Sequence, residues 1–472
     1  MQVKSMHFYA NANAALANQT LQGTLKKFGG GLANLRAKAV EDFGVADFEA
    51  LRFSGEAIRN RSIEQLDTWL LQWEENAQRR GATVYWAKDG DEARDLVLEI
   101  CRRHGAKKVT KSKSMLSEEA GLNDALSAAG IQPVETDLGE YIIQLANEPP
   151  SHIIAPAVHK NKEEVSDLFE KHHGRPRKTD IAEMTREARE VLREHFLSAD
   201  VGISGGNFLI AETGSGVIVT NEGNGRMVTT VPKVHVCITG IEKVIPTLED
   251  LSTLLRLLTR SATGQAISNY VSFFTGPKRA DDLDGPAHLY YILVDGGRTN
   301  LVGSALEEML RCIRCGACMN HCPVYRTVGG HAYGWVYPGP MGSVLTPAYV
   351  GVENALDLPH AATLCGACHV ACPVRIPLPD LLRTLREQQV ERKLRPWRER
   401  AGLVLWRFVA QRPMLYAALS GLAARVLHWM GGRDGLITSL PGAPGWSIGR
   451  DMPAPAGQTF RAQYAARQHA QR

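Results

Sequence analysis

Between residues 67 and 300, short apolar runs of the kind that form strands alternate with longer segments in which apolar residues recur at helical spacing. Residues 82–87 and 216–220 are rich in β-branched or aromatic side chains, as strands are, whereas residues 91–104 have the pattern of an amphipathic helix. This alternation predicts an α/β domain built on a parallel sheet. The predicted strands are 82–87, 108–110, 141–145, 201–204, 216–220 and 234–239, and the predicted helices are 69–79, 91–104, 122–129 and 246–260.

The remaining parts of the chain flank this domain. Residues 1–66 are predicted to form a helical extension interrupted at Gly29-Gly30-Gly31, residues 67–300 the α/β domain, residues 301–390 an iron–sulfur domain, and residues 391–472 a basic helical region with a C-terminal arm. The Pro-, Gly- and Ala-rich segment, residues 441–472, is predicted either to be an extended arm that packs on another surface or to be disordered.

The basic region carries an apolar stripe at helical spacing, with arginines between its members. Such a stripe indicates either a helix packed on its own domain or one that lies on a membrane surface or on a partner subunit. The stripe comprises Leu403, Leu405, Trp406, Val409, Leu415, Tyr416, Leu419, Leu422, Val426, Leu427 and Trp429.

Charge and hydropathy bear on location and partners. The net charge is +4, but the residues from 373 onward hold 16 Lys and Arg against 6 Asp and Glu. Aromatic residues in this basic region follow a helical pattern rather than a stacking platform, which argues against nucleic-acid binding. No long apolar run and no signal-peptide core is visible, so we expect a cytoplasmic protein that could contact the inner face of the membrane.

Cysteine spacing is the strongest chemical signal. Seven of the nine cysteines fall in two short runs, the first with the spacing C-x2-C-x2-C-x3-C-P and the second with the same spacing but with Ala362 in place of the leading cysteine. The complete spacing is typical of bacterial ferredoxins, in which three thiolates bind one cubane and the fourth binds its neighbour. The first run is Cys312, Cys315, Cys318 and Cys322, and the second is Cys365, Cys368 and Cys372.

Crossing over of the last cysteine in each run gives the ligand sets. The first cluster takes Cys312, Cys315, Cys318 and Cys372, and the second takes Cys322, Cys365 and Cys368. The sequence predicts two iron–sulfur clusters. The second, which has only three cysteines, is either [3Fe–4S] or [4Fe–4S] with a non-cysteine ligand on the fourth iron. Candidates for that ligand are His360, His369, His331, Asp357, a partner protein or the substrate.

Zinc is the alternative occupant of these runs, because paired C-x2-C motifs also form zinc sites. A four-cysteine run with a trailing proline, followed by a second similar run, favours iron–sulfur chemistry. The other two cysteines, Cys101 and Cys237, lie in apolar segments and are predicted to be core residues.

Polar and glycine-rich loops in the α/β domain predict a ligand pocket. They follow or precede predicted strands, where binding loops collect, although helix caps and hairpin turns also explain such residues. No dinucleotide-binding glycine motif follows a strand, and no Walker A motif is present, so nicotinamide and flavin sites are unsupported. The candidate pocket residues are Lys111, Ser112, Ser114, Asn207, Thr213, Gly214 and Asn221.

Five segments outside the cysteine runs, together with both runs, closely resemble the lactate utilization protein B family. The segments are residues 111–123, 199–207, 211–215, 220–226 and 240–246, and the likeness extends to Thr459-Phe460-Arg461. The resemblance implies a lactate-utilization domain similar to ribose-5-phosphate isomerase and CoA-transferase folds, followed by a two-cluster ferredoxin domain. Relatives of this fold use a glutamate in their chemistry, and Glu242 is the candidate here.

The resemblance also implies a function. The chain would be the iron–sulfur electron-transfer subunit of an NAD-independent system that oxidises L-lactate to pyruvate and allows growth on lactate. It would be part of an oxidoreductase complex rather than a complete enzyme, with two other lactate utilization subunits and an electron acceptor that could be membrane-linked. The alternative is a carboxylate-binding sensor or scaffold protein with structural clusters.

Overall fold

The computed structural model describes residues 4–28, 30–440 and 450–470. The chain forms two compact units, residues 1–391 and residues 392–472, and each is described by itself. The unit boundary falls beside the predicted start of the basic region. The predicted boundary at residue 301 lies inside the first unit, where the α/β domain and the cysteine-rich region pack together.

Ten strands of the first unit form two sheets. They are β1 (Thr83–Ala87), β2 (Lys108–Lys111), β3 (Gln132–Glu135), β4 (Val201–Ser204), β5 (Phe208–Ile210), β6 (Ser215–Thr220), β7 (Val234–Gly240), β8 (Val244–Ile245), β9 (Tyr270–Phe274) and β10 (His288–Val294).

The larger sheet has six parallel strands in the order β1-β10-β7-β4-β2-β3. Strand β7 is buried along its whole length, as is expected where helices cover both faces of a parallel sheet. The smaller sheet has the order β8-β5-β6-β9 and mixes parallel with antiparallel pairs. The predicted α/β domain is therefore confirmed.

The helices of the first unit are numbered in chain order. They are α1 (Phe8–Ala17), α2 (Gln19–Phe28), α3 (Gly31–Phe43), α4 (Val45–Glu64), α5 (Leu66–Arg79), α6 (Gly90–Arg103), α7 (Met115–Glu119), α8 (Leu122–Ala128), α9 (Leu138–Ala146), α10 (Lys162–His173), α11 (Ile181–Leu197), α12 (Asn224–Thr230), α13 (Leu248–Thr263), α14 (Ala317–Asn320), α15 (Pro323–Val328), α16 (Gly339–Val350), α17 (Ala367–Ala371) and α18 (Leu378–Glu391).

Both faces of the large sheet are covered by apolar side chains. On one face Val97 and Ile100 of α6 pack in a cluster with Val236 of β7. On the other face Trp73 of α5 is fully buried, and its ring meets that of Tyr291 edge-on at 4.7 Å between centroids. Burying large side chains on both faces is the main stabilisation of such a layered domain.

The prediction of a strand at residues 141–145 is wrong. These residues lie in helix α9, which begins after Asp137, whose side chain accepts hydrogen bonds from the backbone N–H groups of Gly139 and Glu140. That capping residue starts a helix where the short apolar run alone looks like a strand. Strand β10 was not predicted from the sequence, because its continuous apolar run has no alternation to mark it as a strand.

The N-terminal extension is helical, as predicted, and helix α3 begins after Gly30, whose φ is +106°. Gly29, part of the predicted break, lies outside the described residues. Helix α4 packs against the cysteine-rich region through two buried arginines, Arg52 and Arg59. The extension is therefore part of the first unit rather than an appendage.

The second unit contains helices α19 (Trp397–Ala410), α20 (Pro413–Met430) and α21 (Phe460–Ala470), with a short antiparallel pair, β11 (Leu436–Ile437) and β12 (Met452–Pro453). The helical C-terminal region is therefore confirmed. Of the predicted extended arm, residues 441–449 and 471–472 lie outside the described part of the chain, and much of the rest is helix α21. None of the helices that the structure describes is both long and apolar enough to cross a membrane.

Candidate iron–sulfur sites and an adjoining cleft

The two cysteine runs share a backbone conformation. Arg314 and Leu364, the residues before the second cysteine position of each run, have φ values of +58° and +55°. Gly316 and Gly366 follow at +74° and +83° and begin helices α14 and α17. Left-handed conformations at these points turn the chain back on itself, which lets backbone N–H groups approach the sulfurs.

The first predicted ligand set converges on one apolar cavity. Cys312, Cys315 and Cys318 line it from the first run, and Cys372 lines it from the end of the second. The structure therefore brings together the cysteines that the crossover pattern assigned to the first cluster. Around them lie the apolar side chains of Ile153, Ile313, Met341, Val374, Ile376 and Leu378.

The chemistry of these four thiols fits a cluster. Burial first, and then the neighbouring Cys315 and Cys312 thiols, raise the pKa of Cys318 well above its usual value. The backbone N–H of Ile376 donates to the sulfur of Cys372 at 3.4 Å. Buried thiolates held this close to one another need cationic compensation, which iron supplies, and N–H donors to the sulfurs are typical of iron–sulfur sites.

The second predicted set comprises Cys322, Cys365 and Cys368. Burial first, and then the Cys322 thiol, raise the pKa of Cys368. Burial is also the largest cause that raises the pKa of Cys322, and the Cys365 thiol raises that pKa as well. The backbone N–H of Tyr325 donates to the sulfur of Cys322 at 3.5 Å. Unlike the first set, this one reaches the surface, because the Cys365 side chain is exposed.

Within the described residues, no three His, Cys, Asp or Glu side chains converge closely enough to hold a single metal ion. A cubane does not require such convergence, because each of its thiolates binds a different iron. The cysteine arrangement is therefore compatible with clusters at both runs.

Three of the four candidate non-cysteine ligands hydrogen-bond elsewhere in the protein through one ring nitrogen. His360 Nε2 lies 3.0 Å from Gln389 Oε1, and His369 Nδ1 lies 3.0 Å from the Ile376 carbonyl oxygen. His331 Nε2 lies 2.8 Å from the carbonyl oxygen of Pro149. The fourth candidate, Asp357, immediately precedes the short turn Leu358–His360.

Sequence reasoning missed Tyr333 beside the second set. Its side chain is fully buried, and its hydroxyl has no well-aligned hydrogen-bond partner among the described residues. Burial first, and next the Cys322 thiol, raise the pKa of Tyr333 well above its usual value. The hydroxyl therefore lies close to a predicted cluster ligand. A tyrosine in a long aromatic insert carries no spacing signal that could have revealed this.

A cleft of about 330 Å³ opens at the carboxyl ends of four neighbouring strands. Ser112 follows β2, Gly205 follows β4, Glu242 follows β7 and Arg298 follows β10. Ligand sites in open α/β sheets form at this edge, where the loops after adjacent parallel strands meet. The position of the cleft therefore follows from the strand order.

Charged side chains dominate the wall of the cleft near the cysteine-rich region. Burial alone would raise the pKa of Glu242, but the adjacent Arg298, Lys243 and Arg314 lower it to about 2. Glu242 Oε2 accepts a hydrogen bond from Arg298 Nε at 2.8 Å. A carboxylate with so low a pKa is a weak general base, and in this structure Glu242 lies beside three cations.

The structure divides the predicted pocket residues into two groups. Four of them line the cleft, namely Ser112, Ser114, Asn207 and Asn221. The other three, Lys111, Thr213 and Gly214, do not line it.

Lys111 points away from Ser112, as successive strand residues do, and its Nζ lies 2.6 Å from both Glu135 Oε1 and Asn123 Oδ1. Thr213 and Gly214 form the turn between β5 and β6, away from the carboxyl edge. Gly214 lies against Ala77, where a Cβ atom would come within 2.3 Å of the backbone nitrogen.

The cleft and the cavity of the first cysteine set share two lining residues, Ile153 and Arg314. Arg314 lies within the first cysteine run, two residues after Cys312. Its side chain faces Glu242, with 3.5 Å between Nη2 and Oε1. The fold and the cysteines define an α/β domain whose ligand cleft adjoins a ferredoxin-like cysteine site.

Comparison with known proteins agrees with this description. Residues 70–294 match the LUD domain, and residues 308–376 match the 4Fe-4S dicluster domain. Lactate utilization protein B of Geobacillus kaustophilus is 41% identical over 99% of this chain and 98% of its own length. The protein of the same name from Shouchella clausii is 44% identical over 93% of this chain and 92% of its own.

The chain therefore belongs to the lactate utilization protein B family and carries a 4Fe-4S dicluster domain. Among solved structures, a DUF162 family protein from Deinococcus radiodurans covers 48% of this chain, with 14% identity and a TM-score of 0.28. That similarity is too low to support any inference.

Proposed function

We propose that this protein is the iron–sulfur electron-transfer subunit of a system that oxidises L-lactate to pyruvate. The shared wall between the α/β cleft and the first cysteine cavity is the observation that carries the proposal, because it brings a polar ligand site next to a redox centre. The names of the relatives supply the substrate.

The proposed clusters give the electrons a direction. The first cluster, bound by Cys312, Cys315, Cys318 and Cys372, is buried beside the cleft, and the second, bound by Cys322, Cys365 and Cys368, reaches the surface at Cys365. Lactate oxidation releases two electrons and two protons, whereas iron–sulfur clusters carry single electrons. We infer that electrons enter at the first cluster and leave through the second.

Two further subunits complete the proposed system. The sequence has no recognisable flavin or nicotinamide motif, so we propose that a partner supplies the group that first accepts the electron pair. The chain then acts as part of an oxidoreductase complex, passing single electrons to an acceptor.

The test is anaerobic EPR spectroscopy of the cluster-loaded protein mixed with its two partner subunits. Adding L-lactate should produce the signal of reduced clusters, and D-lactate serves as the stereochemical control. Clusters that dithionite reduces but L-lactate does not would contradict the relay and favour structural clusters in a carboxylate-binding sensor. A redox titration separates these roles, because a structural cluster keeps one oxidation state across the physiological range.

We also propose that the second unit contacts an anionic membrane surface. Helices α19 and α20 bury none of their side chains, and Trp397, Trp406 and Trp429 are at least 65% exposed. Exposed aromatic residues interspersed with arginines are typical of helices that lie in the headgroup region of anionic bilayers. Co-sedimentation with vesicles containing phosphatidylglycerol, but not with pure phosphatidylcholine vesicles, is the expected result; no difference between the two would contradict it.

A further inference from the structure

We propose that Lys243 and Arg314 bind the carboxylate of a small 2-hydroxy or 2-oxo acid in the cleft, next to the first cluster. This inference deepens the proposed function and rests on it for the identity of the acid. The residues, the charge balance and the position of the cleft all come from the structure.

Among the residues that the structure describes, the carboxylate oxygens nearest to these two cations are 3.5 Å or more away. Lys243 has a side chain 12% exposed, and its distance to the nearest carboxylate oxygen, Glu242 Oε1, is 3.9 Å. Arg314 is 11% exposed, and its guanidinium lies 3.5 Å from the same oxygen and 3.4 Å from the hydroxyl of Tyr349. These distances are longer than those of charge-assisted hydrogen bonds, which are about 2.7–2.9 Å.

Other cations at the cleft are already paired. Arg298 donates to Glu242 Oε2 at 2.8 Å and to both carboxylate oxygens of Glu119 at 3.0–3.1 Å. Lys113 Nζ lies 2.9 Å from Asp137 Oδ2. Because Arg298 already occupies Oε2 of Glu242, Lys243 and Arg314 share the remaining oxygen at long range.

One anionic group would satisfy this arrangement. A buried ammonium is costly unless it is paired, and burial accordingly lowers the pKa of Lys243 to about 8. A carboxylate bound between Lys243 and Arg314 would accept from both, and the planar guanidinium suits bidentate pairing with a carboxylate. The stacking of Arg314 over the Tyr337 ring, at 4.8 Å, holds the guanidinium in place for that contact.

The surroundings favour a small hydroxylated acid over a large or apolar ligand. The cleft volume of about 330 Å³ is at the lower end of the range for ligand pockets. Hydroxyl and amide groups line it beside the two cations, and they can pair with a hydroxyl or keto oxygen on the carbon next to the carboxylate. The hydroxyl and amide residues that line the cleft include Ser112, Ser114, Asn207, Asn221 and Thr239.

Arg314 connects this site to the first cluster. It lies between Cys312 and Cys315, and it lines both the cleft and the cysteine cavity. A bound anion would offset the positive charge beside the cluster, and an iron–sulfur potential depends on nearby charge. Binding of the acid should therefore lower the potential of the first cluster, even when no partner subunit is present.

The experiment uses the full-length, cluster-loaded protein without its partners. Binding of L-lactate, pyruvate and acetate is measured by anaerobic calorimetry. The potential of the first cluster is measured by redox titration with and without pyruvate, which is chosen because it is already a 2-oxo acid and does not donate electrons as lactate would. We expect L-lactate and pyruvate to bind more tightly than acetate, which has no oxygen on the second carbon, and pyruvate to lower the potential.

The variants are Lys243→Met and Arg314→Gln. The controls are Lys107→Met and Arg193→Gln, which make the same substitutions at exposed residues. Each cleft variant should weaken L-lactate binding by about tenfold or more, because a charge-assisted hydrogen bond is lost. Arg314→Lys should restore part of the affinity. Iron content and the EPR spectrum without ligand verify that each variant still folds and holds its clusters.

Each failure has a distinct meaning. If the intact protein binds neither acid, or if both cleft variants bind as well as the controls do, the carboxylate site is overturned. Equal affinity for acetate and L-lactate overturns the assignment to 2-hydroxy and 2-oxo acids. If the acids bind as expected but L-lactate with the partners never reduces the clusters, the site stands and the proposed electron relay fails.

Discussion

The two cysteine sites have the same local backbone but different surroundings. Both runs turn through left-handed residues before and after the second cysteine position, at Arg314 and Gly316 in one and Leu364 and Gly366 in the other. Three of the four thiols of the first set are buried and the set contacts helix α4, whereas Cys365 of the second set is exposed. The short motif thus specifies how the chain wraps, and the tertiary contacts specify what each site can do.

The two cysteine sites also differ in the arginines that donate hydrogen bonds to their backbone. Arg52 donates to the carbonyl oxygen of Cys372 at 2.7 Å, and Arg59 donates to that of Leu310 at 2.9 Å. On the other side, Arg386 of α18 donates to the carbonyl oxygen of Ala362 at 3.0 Å. The first site is anchored by buried arginines from a distant segment, and the second by a partly exposed arginine from the next helix.

The largest effect should come from removing a ligand at the enclosed site. We expect Cys318→Ala to abolish the first cluster, and hence about half of the bound iron, and to leave its three remaining thiols without a cluster. Cys365→Ala should affect only the second cluster. Iron and sulfide analysis, with EPR of the reduced protein, measures both.

The matched control for these variants is Cys101→Ala, because Cys101 is fully buried in the apolar core of the α/β domain. Its iron content should equal that of the unmodified protein. Iron loss in this variant, or cluster loss that does not differ between Cys318→Ala and Cys365→Ala, would contradict the assignment of ligands to two separate sites.

The second effect in size concerns the missing cysteine. Ala362 precedes Cys365 by the same spacing as Cys312 precedes Cys315. We expect the second cluster to lose about one iron on mild oxidation, because one iron has no thiolate, and Ala362→Cys to prevent that loss. Iron analysis and the [3Fe–4S] EPR signal after ferricyanide treatment provide the measurement.

Ala361→Cys places the same thiol one residue away and serves as the control. It should leave the oxidation-sensitive iron unprotected. An unmodified protein that keeps all its iron under oxidation would show that another residue or a partner already completes the second cluster.

The arginine anchors should differ in their contribution to stability. Arg59 is 1% exposed and donates to four backbone carbonyl groups, which Arg59→Met would leave unpaired. We expect a loss of about 3–5 kcal/mol in the free energy of unfolding, since the substitution leaves several buried carbonyl oxygens without a donor and each unsatisfied buried group costs about 1–3 kcal/mol. Arg386→Met, which removes hydrogen bonds from a partly exposed side chain, should cost about 1 kcal/mol.

Anaerobic denaturant unfolding of the cluster-loaded protein, followed by circular dichroism, compares the two variants. Iron release during the same titration reports whether the first cluster is lost with the fold. Equal destabilisation by the two substitutions would mean that burial does not distinguish the two anchors.

Much of this molecule could be predicted from sequence, because some of its signals are local. The cysteine spacing placed Cys312, Cys315, Cys318 and Cys372 together, and the structure brings them to one cavity. Strand and helix patterns predicted the α/β domain. Loops after strands predicted part of the cleft, including Ser112 and Asn207, because a parallel sheet gathers the carboxyl ends of its strands at one edge.

The rest depends on contacts between residues far apart in the chain. Lys111 was predicted to line the cleft because it is next to Ser112 in sequence. One step along a strand reverses the direction of the side chain, and Lys111 instead contacts Glu135. Arg314 was not predicted as a cleft residue, because it lies inside the cysteine motif. Its contact with Glu242 depends on the packing of the cysteine-rich region against the α/β domain. Neither orientation is visible without the strand register and the domain interface.

The smallest predicted effect concerns the hydroxyl of Tyr333, which is buried beside the Cys322 thiol. The dipole of a buried hydroxyl beside a cluster sulfur stabilises the reduced, more negative state, so Tyr333→Phe should lower the potential of the second cluster by on the order of 50 mV. The first cluster should not change. Tyr325→Phe is the matched control, because the Tyr325 hydroxyl, also buried, donates to the Ser151 carbonyl oxygen at 2.7 Å instead of to a thiol. A potentiometric EPR titration that shows equal shifts in the two variants, or a shift of the first cluster, would mean that the hydroxyl acts through packing and not through the sulfur.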